Sequence, residues 1–339
     1  LSTGFRAPTL HQIYTQKAQY SFVPGQGIQV GGLVNNVSSQ AGLLGLPKLK
    51  QETSTNFTLG LGGKVNTNLS FTVDYYSINV EDRIILSTEV TPPSLPAFSG
   101  LSDLSFFVNA LDTKTSGLDV VIGYNKIEAG DGKLGFNLSG NYVIENARDG
   151  AVKNPSSIDG SKTAQSVVNE TQEALFFTSR PNTKWILGVT YDIGKWGLNL
   201  NNTLFGKTEF TQQGLASTTS PNYQIPGDAT TPIVSYNKIN PGASNEYVIQ
   251  DLGTEFAPKV VTDLGFTYNA TEKLTLSLNV NNLFNVLPEW SFVGKTAKGQ
   301  AIIDSTVITS SGQTEIKNQS DLITFNQRYS QMTYDGYHF

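Results

Sequence analysis

The chain has no cysteine and only two histidines, His11 and His338. Without thiols there is neither a disulfide framework nor a thiolate metal site. The two histidines are far apart and no carboxylates stand at ligand spacing from them, so both read as isolated surface or loop residues rather than a zinc centre. Charge is scarce as well: 15% of residues are Asp, Glu, Lys or Arg, which is low for a surface facing water. The net charge is −5 and the pI about 5.2. There is no basic tract, so no nucleic-acid partner is expected. No stretch of the ~18 apolar residues needed for a helical membrane span occurs, which leaves strands as the only spanning element open to the chain. No catalytic constellation stands out; neither catalysis nor a cofactor is expected. A starting Met and a leader peptide are also missing. The opening Leu1-Ser-Thr-Gly-Phe-Arg reads as a strand already under way, and hence as part of something longer.

What the chain does have is 32 glycines, 14 tyrosines and 18 phenylalanines, with Asn, Thr and Ser filling the place of charge. Its 339 residues suffice for two ordinary domains or one large all-β unit. This mixture suits a barrel with a polar, weakly charged interior and an aromatic-rich wall. A soluble β-sandwich or a surface adhesin shares it.

The order of the residues is more telling. Four short turns, near Lys64–Thr67, Ala129–Gly132, Asp192–Lys195 and Ala270–Glu272, alternate with three long polar loops, near 86–113, 146–182 and 208–256. The segments between them alternate apolar and polar side chains, the signature of strands with two different faces. Phe57, Leu59 and Leu61 lead into the first turn, and Leu69, Phe71, Val73 and Tyr75 leave it. Leu118, Val120, Ile122 and Tyr124 face Leu134, Phe136, Leu138 and Tyr142 across the second. Trp185, Leu187, Val189 and Tyr191 precede the third turn, and Leu198, Leu200 and Leu204 follow it, with Asn202 interrupting the apolar side. Leu264, Phe266 and Tyr268 pair with Leu274, Leu276, Leu278 and Val280. After Tyr75 the phase slips to Tyr76, Ile78 and Val80, which marks either a β-bulge or the point where the strand leaves the membrane. Further strands are expected near 301–309 and 314–326, and a last one near Tyr337.

The expected strands, of about 10 to 18 residues, exceed the 5 to 6 usual in soluble sheets and suffice to cross a bilayer at a tilt. The fold class is therefore all-β, a transmembrane antiparallel β-barrel with short turns at one end and long loops at the other. An open edge in lipid would leave backbone groups unpaired at several kcal/mol each, so such a sheet must close. The strands either close a small barrel by themselves or belong to a larger one.

Five motifs follow in the order in which one known family carries them. Gly4-Phe5-Arg6-Ala7-Pro8-Thr9-Leu10 resembles that family's GFRAPTL stretch. Leu49-Lys50-Gln51-Glu52-Thr53-Ser54 partly matches its L-x-P-E-x-S run, with Lys50-Gln51 in place of the proline context. Phe71–Ile78 with Asp82-Arg83-Ile84 resembles its D-x-Y-x-I…D-x-I strand. Asn109-Ala110 and Thr115-Ser116-Gly117-Leu118-Asp119 are similar to its N-A…S-x-G-x-E segment, with Asp119 for Glu. Leu278-Asn-Val-Asn-Asn-Leu-Phe-Asn285 resembles V-x-N-L-F-D, with Asn285 for Asp. Together the five motifs resemble TonB-dependent outer-membrane receptors, and the resemblance implies the C-terminal portion of a 22-stranded barrel, the plug domain lying outside this sequence. It also implies a Gram-negative outer-membrane location and active import of a scarce, bulky nutrient. The partners it implies are the inner-membrane TonB complex, reached through the absent N-terminal part, outer-membrane lipid, and in some cases a surface lipoprotein. A passive porin-like channel and an adhesin are the alternatives. The final Tyr329–Phe339 stretch resembles the lead-in to a last strand, and less closely a strand ending in the terminal aromatic.

Among single residues, Arg6 and Pro8 read as a strand end and loop start, since proline lacks a ladder donor; Glu52 is a possible partner for Arg6. Asn282, Leu283 and Phe284, with Asn281 and Asn285, read as a junction whose amides meet the backbone. Asp74, Glu81, Asp82 and Arg83 are candidates for a wetted lumen or for solvated loop ends. Trp185, Tyr191, Trp196, Tyr268 and Tyr142 read as an interfacial girdle or as strand packing. In the loops, Tyr223, Tyr236 and Trp290 are candidates to stack on a ligand, whether sugar, siderophore or peptide. No acidic or basic cluster in the sequence selects among these.

Overall fold

The computed structural model describes residues 1–23, 27–158, 166–168, 170–210, 236–238, 247–249, 252–294, 307–308 and 314–315. The chain begins with β1 (Ser2–Arg6), a short α1 (Leu10–Tyr14), the hairpin β2 (Lys17–Val23) and β3 (Gly27–Val34), and α2 (Ser39–Leu43). Long strands follow: β4 (Glu52–Lys64), β5 (Leu69–Leu86), β6 (Asp103–Ala129) and β7 (Gly132–Arg148). Next come α3 (Glu170–Phe177), β8 (Thr183–Ile193), β9 (Trp196–Phe205), and short strands β10 (Thr208–Phe210), β11 (Tyr236–Lys238), β12 (Tyr247–Ile249) and β13 (Leu252–Phe256). The described part ends with β14 (Lys259–Thr271), β15 (Leu274–Val280), β16 (Trp290–Gly294), β17 (Val307–Ile308) and β18 (Thr314–Glu315).

Among the described residues, the main sheet runs β1-β4-β5-β6-β7-β8-β9-β14-β15, each neighbour antiparallel. Local chemistry sets this meander. The β6–β7 and β8–β9 turns each place a glycine of positive φ first, Gly130 (φ 61) and Gly194 (φ 55). That geometry matches the twist of the strands it joins. The hairpin β2–β3 branches off the long-loop end, where β3 runs parallel to the start of β6.

The register sorts the side chains. One cross-strand row reads Leu69, Tyr124, Phe136, Val189, Leu200, Leu264 and Val280. The neighbouring row on the other face reads Ser70, Gly123, Asn137, Gly188, Asn201 and Asp263. The apolar face is left uncovered: Leu59 and Leu61 on β4 are 66% and 69% exposed, and Leu278 on β15 is 59% exposed. A continuous exposed apolar face backed by a polar one inverts the soluble pattern and fits lipid outside and water inside. Asn202 does interrupt the outer face, but Thr262 donates a 2.8 Å hydrogen bond to its Oδ1 across the strand pair, so its amide oxygen is satisfied there.

Aromatic rings mark both ends of this face. Trp196 stacks on Tyr268 at 4.1 Å, and the Tyr191 hydroxyl donates to the Ala129 carbonyl, all at the short-turn end. Tyr142 and Trp185 sit instead toward the long-loop end, paired with Thr183 and Gly140. A Cβ at Gly140 would collide with the Trp185 indole, so glycine there makes room for the ring.

Two expectations change. The phase slip after Tyr75 is not a bulge: β4 and β5 stay in unbroken register from Thr53↔Glu81 to Lys64↔Ser70. Tyr76 shares the polar face with Asp74, lies across Gly117, and accepts a 3.0 Å hydrogen bond from the Asn141 amide. The irregularities lie further on, between Val80 and Ile84, where Asp82 has φ 54. Secondly, the loop placed near 86–113 is shorter, because β6 already starts at Asp103.

That early stretch of β6 carries the largest core described. On β6 the register shift falls opposite Arg83, so that Ala110 is the extra residue. One extra residue flips the alternation. Leu104, Phe106, Val108 and Ala110 therefore continue the face that carries Leu111 and Thr113, and all six are buried. The five apolar ones pack with Ile85, Val90 and Phe98, with Ala41 and Leu44 of the α2 segment, and with Ile158, Val167 and Val168. Two of the connections read from sequence as polar loops, near 86–113 and 146–182, thus contribute to an apolar-centred cap at one end of the wall, and most of the third, near 208–256, lies outside the described residues. The strands expected at 301–309 and 314–326 are described only as β17 and β18, and Tyr337 lies outside the described residues.

Candidate functional site: a basic cavity under the cap helix

Helix α3 is tied down at several points. Gln172 donates to the Leu86 carbonyl at 2.8 Å, and Glu173 pairs with Arg148 at 2.7 Å. The Asn146 amide donates to the carbonyls of Phe176 and Phe177, both at 3.2 Å, satisfying the last turn of the helix. Just after the helix, the Thr178 hydroxyl donates to the Glu209 carbonyl at 2.7 Å. Between this roof and the sheet lies a cavity of about 690 Å³. Its walls include Arg6 from β1, Arg83 from β5, Arg180 from the segment after α3, and Lys184 from β8. Asn141, Asn146 and Asn182 add amides, and Leu175 and Phe176 add apolar surface. Among the described residues no Asp or Glu lines it. Lys184 and Asn141 stand in the cross-strand row of Asp74 and Asp119, so the cavity opens on the polar face of the sheet.

The four cations are not equally engaged. Arg6 is committed to Glu52 through a two-pronged pair, Nε to Oε2 at 2.8 Å and a second guanidinium nitrogen to Oε1 at 2.5 Å. Glu52 is buried and also accepts from the Ile84 amide at 2.7 Å. Arg83 lies over the Phe176 ring at 5.9 Å, and Lys184 over the Phe205 ring at 4.9 Å. Such contacts hold a cation without neutralising it. Arg83, Arg180 and Lys184 have no ion pair among the described residues.

A second charge cluster nearby is self-balanced. Lys153 bridges Asp82 at 2.9 Å and Asp112 at 2.6 Å, and Lys50 reaches the other Asp82 oxygen at 3.3 Å. Desolvation pulls the Lys153 ammonium down, but hydrogen bonds to Asp112 and Asp82 outweigh it and its pKa ends above the ordinary 10.5. The cluster pins the loop carrying Lys153 onto the β5–β6 bulge. It offers no vacant charge to a ligand.

The residues singled out from sequence fall in different places. Arg6 reaches the cavity; Pro8 follows the end of β1 and precedes Thr9, which caps α1 through Gln12. Asn282 is buried with φ 51, donates its backbone N–H to the Asp263 carboxylate at 2.7 Å, and closes on Val286 through its side-chain amide, which donates to the Val286 carbonyl and accepts from the Val286 N–H. The Leu283 amide donates to the Thr262 carbonyl at 2.7 Å, and Phe284 is exposed. This junction ties the end of β15 to β14, away from the cavity lining. Tyr223 lies outside the described residues; Tyr236 begins β11 and Trp290 begins β16, with their side chains undescribed. His11 bonds to the Thr15 hydroxyl at 2.8 Å, and His338 lies outside the described residues. Sequence reasoning named Arg83 as a candidate for a wetted lumen or a solvated loop end, and did not single out Arg180 or Lys184. Only the sheet register and the α3 roof bring them to Arg6, and no local spacing announces it.

Comparison with known proteins adds the lineage. The ferric enterobactin receptor PfeA of Pseudomonas aeruginosa is 17% identical, with 84% of this chain and 32% of that one covered, at a TM-score of 0.46. The siderophore receptor PirA of Acinetobacter baumannii is 15% identical over 84% and 34% of the two chains, at 0.44. The FrpB iron transporter of Neisseria meningitidis is 12% identical over 70% and 28%, at 0.40. The chain spans about a third of the length of these structures. No curated protein matches it. The family model described as "TonB dependent receptor-like, beta-barrel" matches residues 1–283. The chain belongs to that family, a non-catalytic class of Gram-negative outer-membrane β-barrel proteins.

Proposed function

We propose that the chain forms part of the barrel wall and loop cap of an outer-membrane receptor that imports a scarce nutrient with energy from the TonB complex. The observation that carries this reading is the family match spanning residues 1–283, over a sheet with one exposed apolar and one polar face. In this reading the short turns face the periplasm and the long connections face outward, where the capped cavity meets incoming ligand. The strands supply a rigid frame, and the loops supply recognition. The barrel contacts outer-membrane lipid along its apolar face; the TonB complex acts through parts of the receptor outside this chain. If the nutrient is a glycan, a surface lipoprotein is the natural partner.

The test is growth on single scarce nutrients in Gram-negative cells that make the full-length protein, with and without functional TonB. The expected result is a growth advantage that disappears without TonB. Equal uptake in its absence, together with steady ion conductance in planar bilayers, would establish a passive channel and overturn the proposal.

A further inference from the structure

We infer that the basic cavity beneath α3 binds a small polyanion, a ligand presenting two or more negatively charged oxygens. The inference rests on the transport reading and names the substrate class of that receptor. The chain as a whole is acidic, at −5, yet this one cavity gathers Arg6, Arg83, Arg180 and Lys184 with no carboxylate among its described lining. Among the described residues, only Arg6 of the four has an acidic partner. The like charges on β1, β5, β8 and the segment after α3 repel one another, and an anion seated among them offsets that repulsion. Guanidinium forks also suit the paired oxygens of carboxylates and similar groups.

Neighbouring groups narrow the ligand further. The Asn141 amide is occupied by the Tyr76 hydroxyl and Asp119, and the Asn146 amide by the end of α3. Among the described lining, the cations and the Asn182 amide are therefore the donors left to a ligand. The one aromatic ring among the described lining, Phe176, is covered on one side by Arg83, which leaves little of the stacking surface that a neutral sugar uses. A volume of about 690 Å³ falls within the range of sites for metabolite-sized ligands.

The experiment is calorimetric titration of the full-length protein, purified in detergent, with citrate and pyrophosphate as probes and maltotriose as the neutral control. Both anions are expected to bind, more weakly at higher salt as screening requires. The R83Q/R180Q double variant is expected to weaken them at least tenfold. Arg180 is exposed, so R180Q alone keeps the fold, which heat-dependent gel mobility verifies; it should lose part of the affinity, and R180K should retain more than R180Q. Equal anion affinity in the wild type and R83Q/R180Q, no binding of either anion, or tighter binding of maltotriose overturns the inference. Loss of TonB dependence in cells would sink the transport reading while leaving anion binding intact. TonB-dependent uptake by a protein blind to both anions would sink this inference alone.

Discussion

In the wall, Leu59 and Leu61 keep 66% and 69% of their surface exposed, whereas in the cap Leu104 and Phe106 keep 0%. The same kinds of side chain are turned outward in one region and hidden in the other. Sequence alternation is alike in both, so hydrophobic pattern alone does not distinguish them. What differs is the solvent each face meets. A wall leucine loses nothing by facing hydrocarbon, while a cap leucine facing water forfeits about 25 cal/mol per Å² of apolar area left uncovered. The cap must therefore build a core of its own from α2, the β5–β6 connection and the residues beyond β7.

The sharpest way to test this contrast is to empty the cap core. Phe106→Ala is expected to cost about 3–5 kcal/mol of cap stability, as large-to-small changes at fully buried aromatics do. Limited proteolysis should then cut within 87–102 and 149–158, while heat-dependent gel mobility still reports a folded barrel. Simultaneous loss of both would show that wall and cap are one cooperative unit. Next comes the wall. Leu200→Arg on the apolar face is expected to cost about 2–4 kcal/mol in urea unfolding from lipid vesicles, whereas its neighbour Asn201→Arg on the polar face should cost close to nothing. Equal costs would mean that the two faces are assigned wrongly.

A smaller effect is expected where the regions meet. Glu52→Ala removes the partner of Arg6 and leaves the Ile84 amide without its acceptor. One buried donor orphaned in this way costs about 1–3 kcal/mol. Glu52→Gln should recover part of it, since an amide oxygen can still accept from Ile84. Melting temperatures of the two variants distinguish the outcomes.

The smallest effect is that of pH. The folded Lys153 pKa lies above the unfolded value of 10.5, so its contribution is complete below 10.5 and fades as pH rises through the folded value. Protection factors around Lys153, which correct exchange for its intrinsic base catalysis, should fall only in that alkaline window. Because the side chain is 42% exposed, solvent screening keeps the effect modest. Lys153→Met should abolish the pH step.

Much of the wall was legible because its signals are local. Gly130 and Gly194 set their turns within four residues, and period two assigns Val120 or Leu200 to a face without knowledge of any neighbour. The slip at Tyr76 misled because a tyrosine can lie on the polar face when a glycine opposite leaves room and an amide meets its hydroxyl; both partners come from other strands. The Arg6–Glu52 pair was within reach, joining two motifs 46 residues apart. The basic cavity was not, because nothing near Arg83 or Arg180 in sequence says which cations will share a space.

The amino-acid order by itself determined that this protein is a two-faced antiparallel meander with short turns at one end, since alternation and turn chemistry act over a few residues. Only the tertiary structure decided where the bulges fall, how α2, the β5–β6 connection and the residues beyond β7 bury Leu104 and Phe106, and that three arginines and a lysine converge under α3. Those outcomes depend on inter-strand register and on segments distant in sequence meeting in space, and no local pattern encodes either.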